Sequence, residues 1–298
     1  MAEGDTIYRA AVMLRTALSG QVMTDFRAAR LVGLRPDVGQ TIETVESHGK
    51  HLEITWDDGV VLHTHMRMTG SWHLYRHGQQ WRKPARQARV VIETAQWAAV
   101  CFNAPVVEVY RSADRHRHPV MGTLGPDLCR EDADLGECVR RVLHYPDPDA
   151  SIGEVLLDQR VCCGVGNVYR AEVLFACGLN PFAAVGSLNV DEAEALVVTA
   201  ARMLRDNRDT AERVTDPRAP GGLAVYGRTG KSCVACGTVI QTTRTGDFHR
   251  TVWWCPTCQP APPETRRAGD DDRVADPHPA ARRFLSDLPA RRPVLPNR

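Results

Sequence analysis

Near the start of the chain the apolar positions recur at helical spacing. Ile7, Ala11, Leu14 and Leu18 lie three and four residues apart, Asp5 or Thr6 can cap the helix they define, and Gly20 can end it. From about residue 41 to 110 the period shortens to two. Leu52, Ile54 and Trp56 alternate with polar residues, Asp58-Gly59 supplies a hairpin turn, and Val60-Val61-Leu62 resumes before further runs at 88–94 and 97–102. Short strands in this succession predict a β-sandwich or flattened barrel. After a His-, Arg-, Pro- and Gly-rich stretch at 111–127, helical periods return over 134–143, 151–158, 168–177 and 191–206, with Gly178 and Asn180-Pro181 ending the third. Polar residues with Pro and Gly over 208–222 predict a mobile loop.

The chain has 298 residues, enough for two domains with separate cores. Lys and Arg number 37 against 36 acidic residues, so bulk charge offers no argument for a nucleic-acid partner and any basic face must be local. No apolar run approaches the roughly 20 residues of a membrane span, and the first residues lack a signal-peptide layout, so a cytoplasmic protein without membrane contact is expected. Of ten cysteines, Cys101, Cys129, Cys138, Cys162, Cys163 and Cys177 are scattered among apolar neighbours and read as small buried hydrophobes. The other four form the most specific pattern in the chain. Cys233-x2-Cys236 and Cys255-x2-Cys258, with 18 residues between the pairs, suit the two knuckles of a β-hairpin holding one tetrahedral zinc. Four thiolates leave no open position for water, so the metal is expected to be structural. Between the pairs, Arg244, His249 and Arg250 with Thr242, Thr243 and Thr245 are suited to phosphate contacts.

These readings give an α+β protein: an N-terminal β-sandwich at 1–115, a linker at 116–130, a helical domain at 131–225, a four-cysteine zinc β-hairpin at 226–259, and a Pro/Arg/Asp-rich tail at 260–298 with little to bury, expected to be disordered. In the helical part, Gly164-Val165-Gly166 makes a turn before a helix starting near Asn167. Amides at that helix start and the Asn167 side chain suit a phosphate.

Several short motifs occur in order: Glu3-Gly4-Asp5-Thr6, Gly49-Lys50-His51-Leu52, His65-Met66-Arg67-Met68-Thr69-Gly70, Leu124-Gly125-Pro126-Asp127, Gly164-Val165-Gly166-Asn167-Val168-Tyr169, Val225-Tyr226-Gly227-Arg228 and the four cysteines. Together, over residues 2–259, they resemble the formamidopyrimidine-DNA glycosylase/endonuclease VIII family. No arginine or phenylalanine follows at Asn103-Ala104-Pro105-Val106-Val107-Glu108, where relatives probe the opposite strand, and this leans the resemblance toward the endonuclease VIII side. The resemblance implies a β-sandwich, a helix-two-turn-helix and a zinc hairpin. It implies a monomeric bifunctional DNA glycosylase and abasic-site lyase acting on double-stranded DNA with damaged bases or abasic sites, oxidised pyrimidines preferred.

The resemblance also implies roles for residues. After removal of the initiator methionine, the amine of Ala2 is the nucleophile, Glu3 the general acid/base, and Lys50 a cation for phosphate or ring opening. Arg67 and Met68 contact DNA, Met68 as the wedge filling the gap left by the flipped nucleotide. Asn167 and Arg250 clamp phosphates, and Cys233, Cys236, Cys255 and Cys258 hold zinc. Glu172 also matches the motif, though a surface carboxylate reads equally well. The family usually has proline at position 2. Alanine still supplies an amine of reference pKa about 7.7–8.0, but its imine must stay protonated to withdraw electrons, so base removal should survive better than strand cleavage. The rival reading is a non-catalytic damaged-DNA-binding zinc protein, the nucleophile having been replaced; another is an interaction protein built on the zinc ribbon. His63 and His65 share one face of a strand, and with no third ligand in view they read as polar packing.

Overall fold

A computed structural model describes residues 2–246 and 249–261. The tail expected at 260–298 lies, from residue 262 onward, outside the described residues. The chain divides into two compact units that are discontinuous in sequence. The first comprises Met1–Ala133, Gln159–Gly166 and Leu204–Ala211; the second comprises Asp134–Asp158, Asn167–Met203 and Glu212–Arg298.

The first unit begins with helix α1 (Gly4–Leu18), whose buried Ile7, Ala11, Leu14 and Leu18 are the positions that the helical period marks. Its start differs from the expected cap at Asp5 or Thr6. Glu3 occupies the cap position without capping through its side chain, and Asp5 falls in the first turn. The reason is tertiary: the Gly4 amide donates to the Gly164 carbonyl at 2.9 Å, so an outside segment closes this helix end.

Eight strands follow: β1 (Met23–Arg27), β2 (Ile42–His48), β3 (His51–Trp56), β4 (Val60–His65), β5 (Ser71–Arg76), β6 (Ala88–Thr94), β7 (Trp97–Phe102) and β8 (Val106–Arg111). They form two antiparallel four-stranded sheets, ordered β2-β3-β4-β8 and β1-β6-β7-β5. Gly59, at φ 78°, makes the expected turn between β3 and β4. Leu52, Ile54, Trp56, Val60 and Leu62 from one sheet share a core with Trp72, Val90, Ile92, Ala99 and Cys101 from the other and with the apolar face of α1. Removing such side chains from water is the main stabilising contribution to this unit.

In the second unit the helices are α2 (Leu135–Leu143), α3 (Ile152–Val155), α4 (Asn167–Cys177) and α5 (Val190–Asp206), the last of which runs on into residues of the first unit from Leu204. Helix α3 is a single turn, shorter than the expected 151–158, with Ser151 Oγ accepting from the Glu154 amide. Strands β9 (Gln241–Thr245) and β10 (Arg250–Trp254) form the hairpin. No helix among the described residues is long and apolar enough to cross a membrane.

Trp56 is fully buried and meets Phe26 edge-on with ring centroids 6.1 Å apart, yet its indole nitrogen has no hydrogen-bond partner. Its contribution is therefore shape and apolar area. We expect Trp56→Ala to cost about 3–5 kcal/mol in urea unfolding, and Trp56→Phe, which keeps a ring, to cost less than about 1.5 kcal/mol. Equal losses would show that the indole N–H is bonded.

Candidate functional site

The turn Cys163-Gly164-Val165-Gly166 gathers sequence-distant motifs inside the first unit. Glu3 is fully buried, and its Oε2 accepts from the Gly166 amide at 2.9 Å. A side chain at Gly166 would place its Cβ 2.3 Å from Glu3 Cδ, so only glycine fits under the carboxylate. Gly49, at φ 57°, leaves no room for a Cβ either, which would fall 2.7 Å from Cys163 Sγ. Lys50 follows it, half-buried at the mouth of β3. The Leu124–Asp127 motif closes the other side. The Gly125 amide donates to the Gln159 carbonyl, the Cys163 amide to Pro126, and the buried Asp127 accepts from the Gly49 and Cys129 amides. Ala2, partly buried against the sandwich core, is thus the first residue of a segment fixed within two positions by Glu3 and Gly4.

The connection from β4 to β5 carries Arg67 and Met68. Both are exposed, Met68 to 66%, and Arg67 has the unusual φ of 46°. Met68 is therefore not core packing, and a large apolar side chain held out in water on a strained turn suggests contact with a partner.

In the second unit the structure brings Asn167 and Arg250 together. Asn167 Nδ2 donates to the carbonyl of Thr251, the neighbour of Arg250, at 3.0 Å, and the buried Arg170 guanidinium donates to the same oxygen at 2.9 Å. Asn167 Oδ1 has no partner, while Arg250 is exposed. Glu172 proves to be fully buried. It accepts from Thr215 Oγ1 and from the amides of Ala224, Val225 and Tyr226, the last three at 2.7–2.9 Å. Burial pushes its carboxyl up while those donors pull it down. Its job in the structure is to tie α4 to the 215–226 segment, which anchors the loop expected to be mobile.

Cys233, Cys236, Cys255 and Cys258 converge, with their sulfurs within 4.8 Å of one another. Cys233 Sγ and Cys258 Sγ are 3.8 Å apart and Cys236 Sγ and Cys255 Sγ 3.4 Å apart. Tetrahedral zinc with bonds of about 2.3 Å requires edges of roughly 3.8 Å, so the donor set fits such an ion.

Sequence reasoning missed the neighbours of His63. On the face of the β2-β3-β4-β8 sheet turned away from the core, register aligns His51 with His65, Glu53 with His63, and His63 with Glu108. Glu108 and His118 lie within ligating distance of His63, so a third ligand is in fact present. The proton order argues for a hydrogen-bonded network. The amides of Val120 and Met121 donate to His118 Nδ1, so Nε2 carries the proton and donates to Glu108 Oε2 at 3.1 Å. His63 Nδ1 donates to that same oxygen at 3.1 Å, and its Nε2 then accepts from His51 Nδ1 at 2.8 Å. Register, invisible before strand pairing is known, hid this cluster.

Burial first, then the neighbouring His65, His63 and Lys50, hold His51 down to about 2, and burial with Lys50 holds His65 to about 4. Unfolded, both titrate near 6.5. The unfolded chain therefore takes up protons first as pH falls, so stability is greatest above about pH 6.5 and declines toward pH 4. Urea midpoints at pH 7.5 and 5.0 check this, with a lower midpoint at pH 5.0 expected; a flat or rising profile would contradict the neutral cluster.

A buried acid beside the start of α1, an exposed turn bearing Met68 and a zinc-type hairpin accompany similarity to DNA-repair proteins of the glycosylase/abasic-site lyase class. Residues 1–105 match the model for the formamidopyrimidine-DNA glycosylase N-terminal domain and residues 124–215 the model for the formamidopyrimidine-DNA glycosylase H2TH domain. The chain belongs to the formamidopyrimidine-DNA glycosylase/endonuclease VIII family. It is 40% identical over 276 residues to "Probable endonuclease 8 2" of Streptomyces coelicolor, covering 90% of this chain and 98% of that one. It is 38% identical to "DNA-(apurinic or apyrimidinic site) lyase Nei2" of Mycolicibacterium smegmatis, covering 88% of this chain and all of that one. In fold it is similar to the Lactococcus lactis formamidopyrimidine-DNA glycosylase solved with DNA containing an abasic site, at a TM-score of 0.73, 21% identity and coverage of 87% of this chain and 100% of that one.

Proposed function

We propose that the protein removes oxidised bases, pyrimidines in preference, from double-stranded DNA and cleaves at the resulting abasic site through a Schiff base on the amine of Ala2. The observation that carries this reading is the seat of the N-terminus: the Glu3 carboxylate sits on the Gly166 amide and the Gly4 amide on the Gly164 carbonyl. A nucleophile must meet its carbon in one geometry, and a frayed terminus could not.

With Met1 removed, the neutral amine of Ala2 attacks C1′ and forms the C–N bond, and the glycosidic bond breaks as the base leaves. The Glu3 carboxylate takes up the proton that the attacking amine sheds, passes it to the opening sugar oxygen, and as a carboxylate again accepts a proton during elimination of the 3′ phosphate. Lys50 faces phosphate or assists ring opening, Arg67 and Met68 enter the duplex, with Met68 replacing lost stacking, and Asn167 and Arg250 hold backbone phosphates. One zinc on Cys233, Cys236, Cys255 and Cys258 holds the β9-β10 hairpin that carries Arg250.

Borohydride trapping on duplex DNA with an abasic site tests the nucleophile. Correctly processed protein should cross-link, a form retaining Met1 should not, and Ala2→Pro should raise strand cleavage relative to base release. Glu3→Gln, whose amide oxygen can still accept from Gly166, should slow turnover by about 10²–10⁴-fold while leaving duplex binding in place. Processed protein that binds such duplexes without ever cross-linking would establish a binding protein instead.

Elemental analysis should find one zinc per chain. Stripping it with chelator, or Cys255→Ser, should lower the thermal midpoint and abolish binding to lesion-containing duplex; zinc-free protein of undiminished affinity would remove the hairpin from the DNA contacts.

A further inference from the structure

The chain is nearly neutral overall, yet from Gly59 to Ile92 it contains no Asp or Glu and six cationic residues: Arg67, Arg76, Arg82, Lys83, Arg86 and Arg89. Several arginines elsewhere in the first unit are ion-paired, among them Arg27 with Asp25 and Glu93, Arg111 with Asp58, and Arg115 with Glu53. Arg67, Arg82 and Arg86 are exposed and, among the described residues, have no acidic partner. Unneutralised guanidinium groups on a protein of net charge +1 form a local field that favours an anionic polymer.

The fold places this charge next to the wedge turn. The connection bearing Arg67 and Met68 crosses from one sheet to the other beside the return crossing at residues 103–105, to which Thr69 Oγ1 donates at the Asn103 carbonyl over 3.1 Å. Asn103, in left-handed conformation at φ 51°, is bonded twice to Gln87: amide to carbonyl at 2.9 Å, and Nδ2 to Oε1 at 3.1 Å. Gln87 ends the loop between β5 and β6. That loop is seated firmly. Trp81 packs on Tyr75 and Phe102 with centroids 6.2 and 5.8 Å away, the Arg82 amide donates to Tyr75 Oη at 3.0 Å, and Lys83 Nζ donates to Ser71 Oγ at 2.8 Å. Arg82 and Arg86 therefore project from a fixed frame, which lowers the entropy lost when they bind.

The two flanks of the wedge turn differ. On the β4 flank, His65 pairs with His51, the neighbour of Lys50, and Gly49 abuts the turn that seats Glu3. On the β5 flank lie Asn103, Gln87 and Arg86. A side chain inserted into a duplex separates the two strands' territories, and the damaged sugar has to lie on the side of the nucleophile.

We propose that the β5–β6 loop, through Arg82 and Arg86, binds the phosphate backbone of the undamaged strand opposite the lesion. This rests on the glycosylase reading with Met68 as wedge. It supplies a hold on that strand from outside the segment Asn103 to Glu108, which lacks arginine and phenylalanine. Phosphate contacts fix register without reading bases, so the enzyme should depend on a second strand yet discriminate weakly among the bases opposite the lesion.

The test compares wild type, R86Q and the double variant R82A/R86A on one abasic-site oligonucleotide, offered single-stranded and as duplex, by equilibrium binding across salt concentrations and by borohydride trapping. Losing two phosphate contacts should reduce the slope of log affinity against log salt on duplex by about 1.8 and weaken duplex binding, with R86Q giving about half the slope change. Single-strand binding and trapping should match wild type. Equal losses on both substrates would assign the loop to the damaged strand, and unchanged duplex binding would remove it from the interface; either overturns the proposal. Failure of the nucleophile reading is distinct: no form would cross-link to either substrate, whatever the slopes. Thermal midpoints confirm folding, and should R82A/R86A be destabilised, R86Q alone carries the comparison.

Discussion

The Gly166 backbone amide, received by the water-excluded Glu3 carboxylate, holds the N-terminal segment of this protein in place. Glu3 reaches the Gly166 amide because position 166 has no side chain, and the adjoining Gly4 is bonded directly to the Gly164 backbone. A buried carboxylate without donors would cost several kcal/mol or take up a proton. The Gly166 amide therefore anchors the carboxylate and fixes the direction in which the chain enters α1. Ala2 has little freedom left once the next two residues are spoken for. The proposed chemistry relies on that restriction more than on any unusual reactivity of an alanine amine.

The second unit solves a related problem in the same way. Glu172, in the middle of α4, is as thoroughly enclosed as Glu3 and is met by three consecutive amides and a threonine hydroxyl. Around Thr251, Asn167 and Arg170 donate to one carbonyl, binding the hairpin to the start of the same helix. Helix α4 thus serves as a rod with two attachments, one at its first turn and one a turn later. The residues proposed to grip phosphate sit where these attachments end.

Much of this was legible in the chain. The period of two and the period of three to four separated sheets from helices, the cysteine spacing marked the hairpin, and ordered motifs pointed to the family. What stayed hidden depends on partners distant in sequence. The start of α1 moved because Gly164 closes it from outside, and α3 shrank to one turn although the apolar pattern ran on. Glu172 could not be told from a surface carboxylate until the 215–226 segment was seen to cover it. The histidine cluster required strand register, since His63 and Glu108 are 45 positions apart and neighbours only across β4 and β8. Likewise, an acid-free stretch in the sequence became a candidate strand-binding surface only when Gln87 was found bonded to Asn103.

The interleaved layout of the two units also bears on how the molecule is born. Synthesis runs from the N-terminus, and domains generally fold as they emerge. Here the β-sandwich can gather its strands early, but the pieces Gln159–Gly166 and Leu204–Ala211, which belong to it, leave the ribosome much later. Until the first of them arrives, Glu3 has no amide to meet. A half-made polypeptide therefore carries a Glu3 without its seat, so under the proposed mechanism the N-terminal segment is not held in place until the chain has been translated past Gly166.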